Sequence, residues 1–244
     1  MRFTYILIDF FTILLPLLFT FHPRLRFDKV VKYFFPSATT AAVFFITWDI
    51  YFTKLGVWGF NKQYTLGIYF INLPLEEVLF FFCIPYSCVF TYHCISIFIG
   101  NKVLAIQPGL FTKALIIATL AIGVIYYQRF YTAFTFLVLS LSLFTAAYIL
   151  KVNWLAKFYT IYAVLLIPFM IVNGLLTGTG LKNPVVWYNS RHIIGLRLLT
   201  IPVEDVFYGM GLLLIITIIY MQLADINRKK QHAIHAGANE NYNK

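Results

Sequence analysis

Two acidic pairs could do chemistry here. Glu76-Glu77 and Glu204-Asp205 each follow Pro-x (Pro74, Pro202), each open an apolar run, and together make up four of the nine acids in a 244-residue chain. Proline suits a helix start because its missing N–H would be unpaired there anyway. The helix dipole favours a charged carboxylate in the first turn. Burial and an adjacent like charge favour retaining a proton. A proton shared among such groups is what a general acid needs. Consecutive helical residues point about 100° apart, so one acid of each pair is expected to face a shared cavity. The other would meet a neighbouring helix or the surface. First-turn acids are also ordinary helix caps, so the argument for chemistry is their repetition in a chain otherwise stripped of acids.

Supporting groups lie nearby. Asp49 follows Trp48 late in an apolar run, and the corresponding region of the second half reads Asn173-Gly174. Asn61 and Asn189 could orient a carboxyl group or simply turn a loop. Trp58, Trp187 and Tyr208 could face a cation, although interfacial Trp and Tyr also serve as membrane anchors. Arg191 and Arg197 read as headgroup contacts, His93 as a core histidine, and His232/His235 as residues of a polar tail. Cys83, Cys88 and Cys94 lie in one apolar run and read as small core residues. There is no metal-ligand spacing, glycine-rich dinucleotide loop or P-loop, so no metal and no cofactor is expected. The aspartate-rich motifs of a diphosphate-binding prenyltransferase are missing as well.

The elements that carry these residues are membrane spans. The chain is 61% hydrophobic and 11% charged, with a mean hydropathy of +0.80. A soluble domain carries roughly 25% charged residues. An ordinary soluble globule, a disordered chain and a nucleic-acid-binding module are thereby excluded. Seven apolar runs are expected to cross the bilayer, near 3–21, 36–52, 75–99, 110–127, 133–150, 158–177 and 203–223. The fold class is an all-α polytopic membrane protein. The first run is read as a retained helix because no small-residue cleavage site follows it. Twelve Lys and Arg lie on one side of these spans and seven on the other. The excess marks the cytoplasmic side, which puts the C-terminus inside and the N-terminus outside.

The chain also repeats itself. The pattern W…N…G-x6-P-x-E-[ED]-V occurs from Trp58 and again from Trp187. With one gap at Gly59, Asn61 meets Asn189, Gly67 meets Gly195, Pro74 meets Pro202, and Glu76-Glu77 meets Glu204-Asp205 at a constant offset of 128. The division expected is a first repeat at 1–100, a connector helix at 101–130, a second repeat at 131–223 and a basic, disordered tail at 224–244. An odd connector keeps both three-helix repeats parallel, with a pseudo-twofold axis along the membrane normal. Both acidic pairs then sit near one leaflet, the outer one by the charge count.

The segments Trp58-Gly59-Phe60-Asn61, Leu73-Pro74-Leu75-Glu76-Glu77-Val78 and Ile201-Pro202-Val203-Glu204-Asp205-Val206 resemble the integral-membrane lycopene β-cyclase family. Trp48-Asp49 resembles that family's span-two motif. The resemblance runs to about residue 223 and fits the fused two-half bacterial form. It implies a redox-neutral reaction. A carboxylic acid protonates the end of lycopene, a six-membered ring closes, and a carboxylate removes a proton, giving γ-carotene and then β-carotene. The implied partners are lycopene and other carotenoids, the lipid bilayer and other carotenoid enzymes, with the inner membrane as location. Two rival readings are a carotenoid hydratase using the same acid and a proton-coupled transporter.

Overall fold

The computed structural model describes residues 2–99 and 108–242. Seven α-helices dominate it: α1 (Thr4–Phe19), α2 (Val31–Lys54), α3 (Leu75–Ile99), α4 (Pro108–Ile125), α5 (Phe130–Phe144, continued by a π-turn over Thr145–Ile149), α6 (Leu155–Leu176) and α7 (Val203–Tyr242). Each of the seven expected spans falls on one of them. Leu75–Phe98, Phe130–Ile149, Leu155–Leu176 and Val203–Asn227 are long and apolar enough to cross a bilayer, while Thr4–Phe19 and Gly109–Ile125 are shorter apolar helices. The chain is an all-α membrane protein.

The C-terminal stretch departs from expectation. Rather than becoming disordered at residue 224, it continues α7 as helix to Tyr242. Four alanines and the run Arg228-Lys229-Lys230-Gln231 occur there, and these residue types favour helix even without an apolar face. Residues 243–244 lie outside the described residues.

α7 is shared by the two main clusters of the interior. Its Leu212 and Ile216 join Phe34, Ala38, Ala41, Ala42 and Phe45 of α2 and Phe81 and Val89 of α3. Its Leu213, Leu214 and Ile218 join Leu139 and Leu143 of α5 and Phe158, Ile161 and Leu165 of α6. The three alanines of α2 let backbones approach closely, which is how helices associate where lipid removes the hydrophobic drive.

Short strands fix the loops before α3 and α7. β2 (Tyr69–Phe70) pairs with β3 (Leu73–Pro74), and β5 (Arg197–Leu198) with β6 (Ile201–Pro202). The two hairpins are copies at the 128-residue offset. Ile71 and Leu199 take positive φ (59° and 57°) at their tips, and Gly67 and Gly195 take φ of 85° and 92° just before them. β1 (Trp58–Phe60) then joins the halves by pairing antiparallel with β4 (Val186–Tyr188). Trp58 faces Tyr188 and Phe60 faces Val186, a pairing that the same offset maps onto itself. The flanking hydrogen bonds obey it too. Asn61 N donates to Val185 O (2.8 Å) and Asn189 N to Val57 O (2.9 Å).

No alignment gap is therefore needed at Gly59. The counterpart of Trp187 is Gly59, not Trp58. A Cβ on Gly59 would collide with the Trp187 ring, so the axis has room for one indole only.

Candidate active site

α3 and α7 begin directly after Pro74 and Pro202, which end strands β3 and β6. Both acidic pairs lie in the first turn of their helix. The two members of each pair point in different directions. Glu76 and Glu204 are fully buried. Glu76 Oε1 accepts the backbone N–H of Leu66 and Glu204 Oε1 that of Ile194, each at 2.6 Å. These donors are ten residues upstream in both halves, so the pair performs one loop-closing task twice. Thr132 Oγ1 on α5 donates to the same Glu204 oxygen at 2.6 Å.

Glu77 and Asp205 instead line a single cavity of about 990 Å³. Tyr5 of α1 donates to Glu77 Oε2 at 2.5 Å. The buried Asp49 of α2 lines the same cavity beside Glu77. Asp205 Oδ1 accepts from Tyr131 of α5 at 2.5 Å. Its Oδ2 accepts from Asn173 of α6 at 2.7 Å and from Tyr188 of β4 at 3.0 Å. Burial, and then the Asp205 charge, push the Tyr188 phenol well above its ordinary value, so it remains a donor. Asp49, Asn173, Tyr5, Tyr131 and Tyr188 all reach the same cavity.

The cavity is apolar away from the acids. Trp58, Phe60 and Tyr208 line the acid end. Residues of α1, α3, α6 and α7 line the rest, down to Thr91 on α3 and Leu213 on α7. From Glu77 to Thr91 is about 21 Å of helix at 1.5 Å per residue. Leu7 and Phe11 on α1 and Ile171 and Leu175 on α6 both line the cavity and are exposed on the outer surface. The space thus opens sideways between α1 and α6. A buried acid end, an apolar groove and a lateral mouth suit a long hydrocarbon presented from the bilayer.

A family model for lycopene cyclase matches residues 2–95 and 128–223, one stretch in each half. This chain belongs to the lycopene cyclase family. The bifunctional lycopene cyclase/phytoene synthase of Phaeosphaeria nodorum is 33% identical over 58 residues, covering 24% of this chain and 10% of that protein. The match therefore spans about a tenth of the relative's length. No solved structure matched the chain.

Within this lycopene cyclase fold the other expected residues are placed as follows. Asp49, Trp58 and Tyr208 join the acids at the cavity. Trp187 does not; it covers Gly59 and is 42% exposed. Asn61 and Asn189 turn their loops instead of orienting a carboxyl. Their Oδ1 atoms accept from the N–H of Gln63 and Arg191, two residues on, and Asn189 Nδ2 donates to Gly56 O. Pro74 and Pro202 hold the strand-to-helix junctions. Tyr5, Tyr131, Tyr188 and Asn173 hydrogen-bond the cavity acids, and sequence reasoning did not assign them to the site. Asp9, one turn beyond Tyr5 on α1, is buried with neither carboxyl oxygen hydrogen-bonded among the described residues.

Proposed function

We propose that the protein is a lycopene β-cyclase, an intramolecular lyase (isomerase) acting by general acid–base catalysis. The observation that carries this is the meeting of Glu77 and Asp205, one from each half, in a single apolar cavity lined by exposed residues of α1 and α6. Family membership supports the substrate class.

The reaction follows from the groups present. The ψ end of lycopene slides between α1 and α6 until its terminal double bond reaches the carboxyls. One carboxyl adds a proton to that bond. The neighbouring double bond attacks the resulting tertiary cation and closes a six-membered ring. A carboxylate then removes a ring proton, and the C–H electron pair becomes the ring double bond of a β-ionone end. Nothing is oxidised or reduced. Trp58, Tyr131, Tyr188 and Tyr208 supply aromatic faces and fixed dipoles for the cation. The apolar walls keep out water, which would trap it as an alcohol.

The site residues proposed are Glu77 and Asp205 at the substrate, with Asp49, Tyr5, Tyr131, Asn173 and Tyr188 holding them. Glu76 and Glu204 position the loops above. The protein works in the cytoplasmic membrane, with its N-terminus outside and its C-terminus inside, on lycopene and related carotenoids and in contact with other carotenoid enzymes. Expression in a lycopene-accumulating host tests the reading. Chromatography and mass spectrometry should show new pigments of unchanged mass carrying one and then two rings. A product heavier by one water would instead identify a hydratase, and unchanged lycopene would reject both.

A further inference from the structure

The two halves differ around their cavity carboxyls, and both differences point the same way. Asn72 Nδ2 donates to Ile50 O at 2.9 Å, and Thr200 Oγ1, its counterpart by the 128-residue offset, donates to Gly174 O at 3.4 Å. Ile50 and Gly174 therefore hold equivalent places, and Asp49 corresponds to Asn173. Phe60 corresponds to Tyr188 by the same offset that maps the β1–β4 ribbon onto itself.

In the second half, Asn173 and Tyr188 both donate to Asp205, and Tyr131 adds a third hydrogen bond. Three donors converging on one carboxyl group suit an ionised group, which only accepts. In the first half, Phe60 has nothing to donate. Asp49 brings a second buried carboxyl to the cavity beside Glu77, and two neighbouring buried carboxyl groups favour keeping a proton between them. Tyr5 is the one hydroxyl that donates to Glu77 among the described residues.

We infer that the repeat divides the chemistry between its halves: the Asp49–Glu77 pair delivers the proton to the polyene end, and Asp205 is the anion that takes the ring proton away. This rests on the cyclisation reading above. In each turnover the pair gives up one proton to the CH carbon of the terminal alkene; the alkene's π electrons form the new C–H bond and leave the tertiary cation on the dimethyl carbon. The adjacent alkene's π pair forms the ring C–C bond. A ring C–H then yields its proton to Asp205 and its electron pair to the ring double bond. Asp205 ends protonated and the pair ends one proton short. Tyr188, hydrogen-bonded to Asp205, and Tyr208 line the same cavity as Asp49 and Glu77 and offer hydroxyls for that proton's return.

Infrared spectroscopy of the full chain in lipid tests this without turnover. A protonated-carboxyl band that shifts in D2O should vanish in Asp49→Asn and in Glu77→Gln and persist in Asp205→Asn. Asn173→Asp, which gives Asp205 the carboxyl neighbour that Glu77 has, should add such a band. Turnover of lycopene in D2O gives the second readout. Asp49→Asn and Glu77→Gln should incorporate no deuterium. Asp205→Asn should slow ring formation roughly 100-fold yet still release deuterated carotenoid, with the double bond misplaced or the cation trapped as an alcohol. Loss of the band in Asp205→Asn, or an Asp205→Asn protein that yields no deuterated product, overturns the division. If the unaltered protein leaves lycopene untouched while the band pattern holds, the substrate reading fails and the proton assignment stands.

Discussion

Glu76 and Glu77 are neighbours of the same chemistry with separate tasks, as are Glu204 and Asp205. The fully buried member of each pair closes a loop, and the other member lines the cavity where we propose that substrate reacts. Glutamine keeps an acceptor for Leu66 N–H or Ile194 N–H but replaces the carboxyl with an amide that fits the closed loop less well, a loss of about 1–2 kcal/mol. Glu76→Gln and Glu204→Gln should therefore melt at lower temperature and keep measurable cyclase turnover in the folded fraction. Glu77→Gln should melt near the parent and form no rings; thermal denaturation in detergent run beside a pigment assay checks both. Tyr188→Phe removes one of three donors on Asp205. A hydrogen bond to a charged group contributes about 1.5–3 kcal/mol, so turnover should fall by roughly ten- to a hundredfold without loss of lycopene binding, read as kcat against KM. The acids were legible in the sequence because they are rare and repeated. Tyr5 and Tyr131 were not. The chain has 17 tyrosines, and these two sit in the reversed dipeptides Thr4-Tyr5 and Tyr131-Thr132, so the 128-residue offset does not connect them.

Among elements, the β1–β4 ribbon decides how the halves meet. Its register sets Gly59 against Trp187 on the pseudo-axis. The sequence invites Trp58 to be matched with Trp187, because two tryptophans before two asparagines look alike. Pairing across a twofold axis forbids an indole from both sides at one point, a three-dimensional constraint invisible to a linear comparison. The same ribbon holds Tyr188 over Asp205. Gly59→Ala should destabilise the protein by about 1–3 kcal/mol through overpacking and lower activity by shifting Tyr188. Combining it with Trp187→Ala should restore part of the loss, so a double-mutant cycle on melting temperature should show a coupling of the same order. Two equal, additive losses would mean the contact is not what sets the ribbon. Helix positions and the starts of α3 and α7 were readable from hydropathy and from the Pro-x-Glu spacing. The hairpins were not, since Ile71 and Leu199 take positive φ without the glycine that normally announces it.

At the scale of the whole molecule, the two halves bring their cavity acids together among the described residues. Had each half closed its own pocket, both ends of a symmetric substrate could be served together. Instead Glu77 and Asp205 share one cavity. Its acid end is closed by Trp58 and Tyr188 of the β1–β4 ribbon, and its mouth opens between α1 and α6. A polyene that enters acid end first leaves its far end toward the bilayer, whose hydrocarbon core is ~30 Å thick. The second ring can form only after the one-ring product has withdrawn, reversed and entered again. A time course on lycopene in vesicles should therefore show monocyclic γ-carotene rising first and the two-ring product appearing after a lag. Excess unlabelled lycopene added at early times should divert labelled γ-carotene from further cyclisation, because the released intermediate must compete for the same mouth. Two-ring product formed without a lag and unaffected by the chase would require a second acid site reached by the far end, and the single cavity between the halves would then not be the whole of the catalytic machinery.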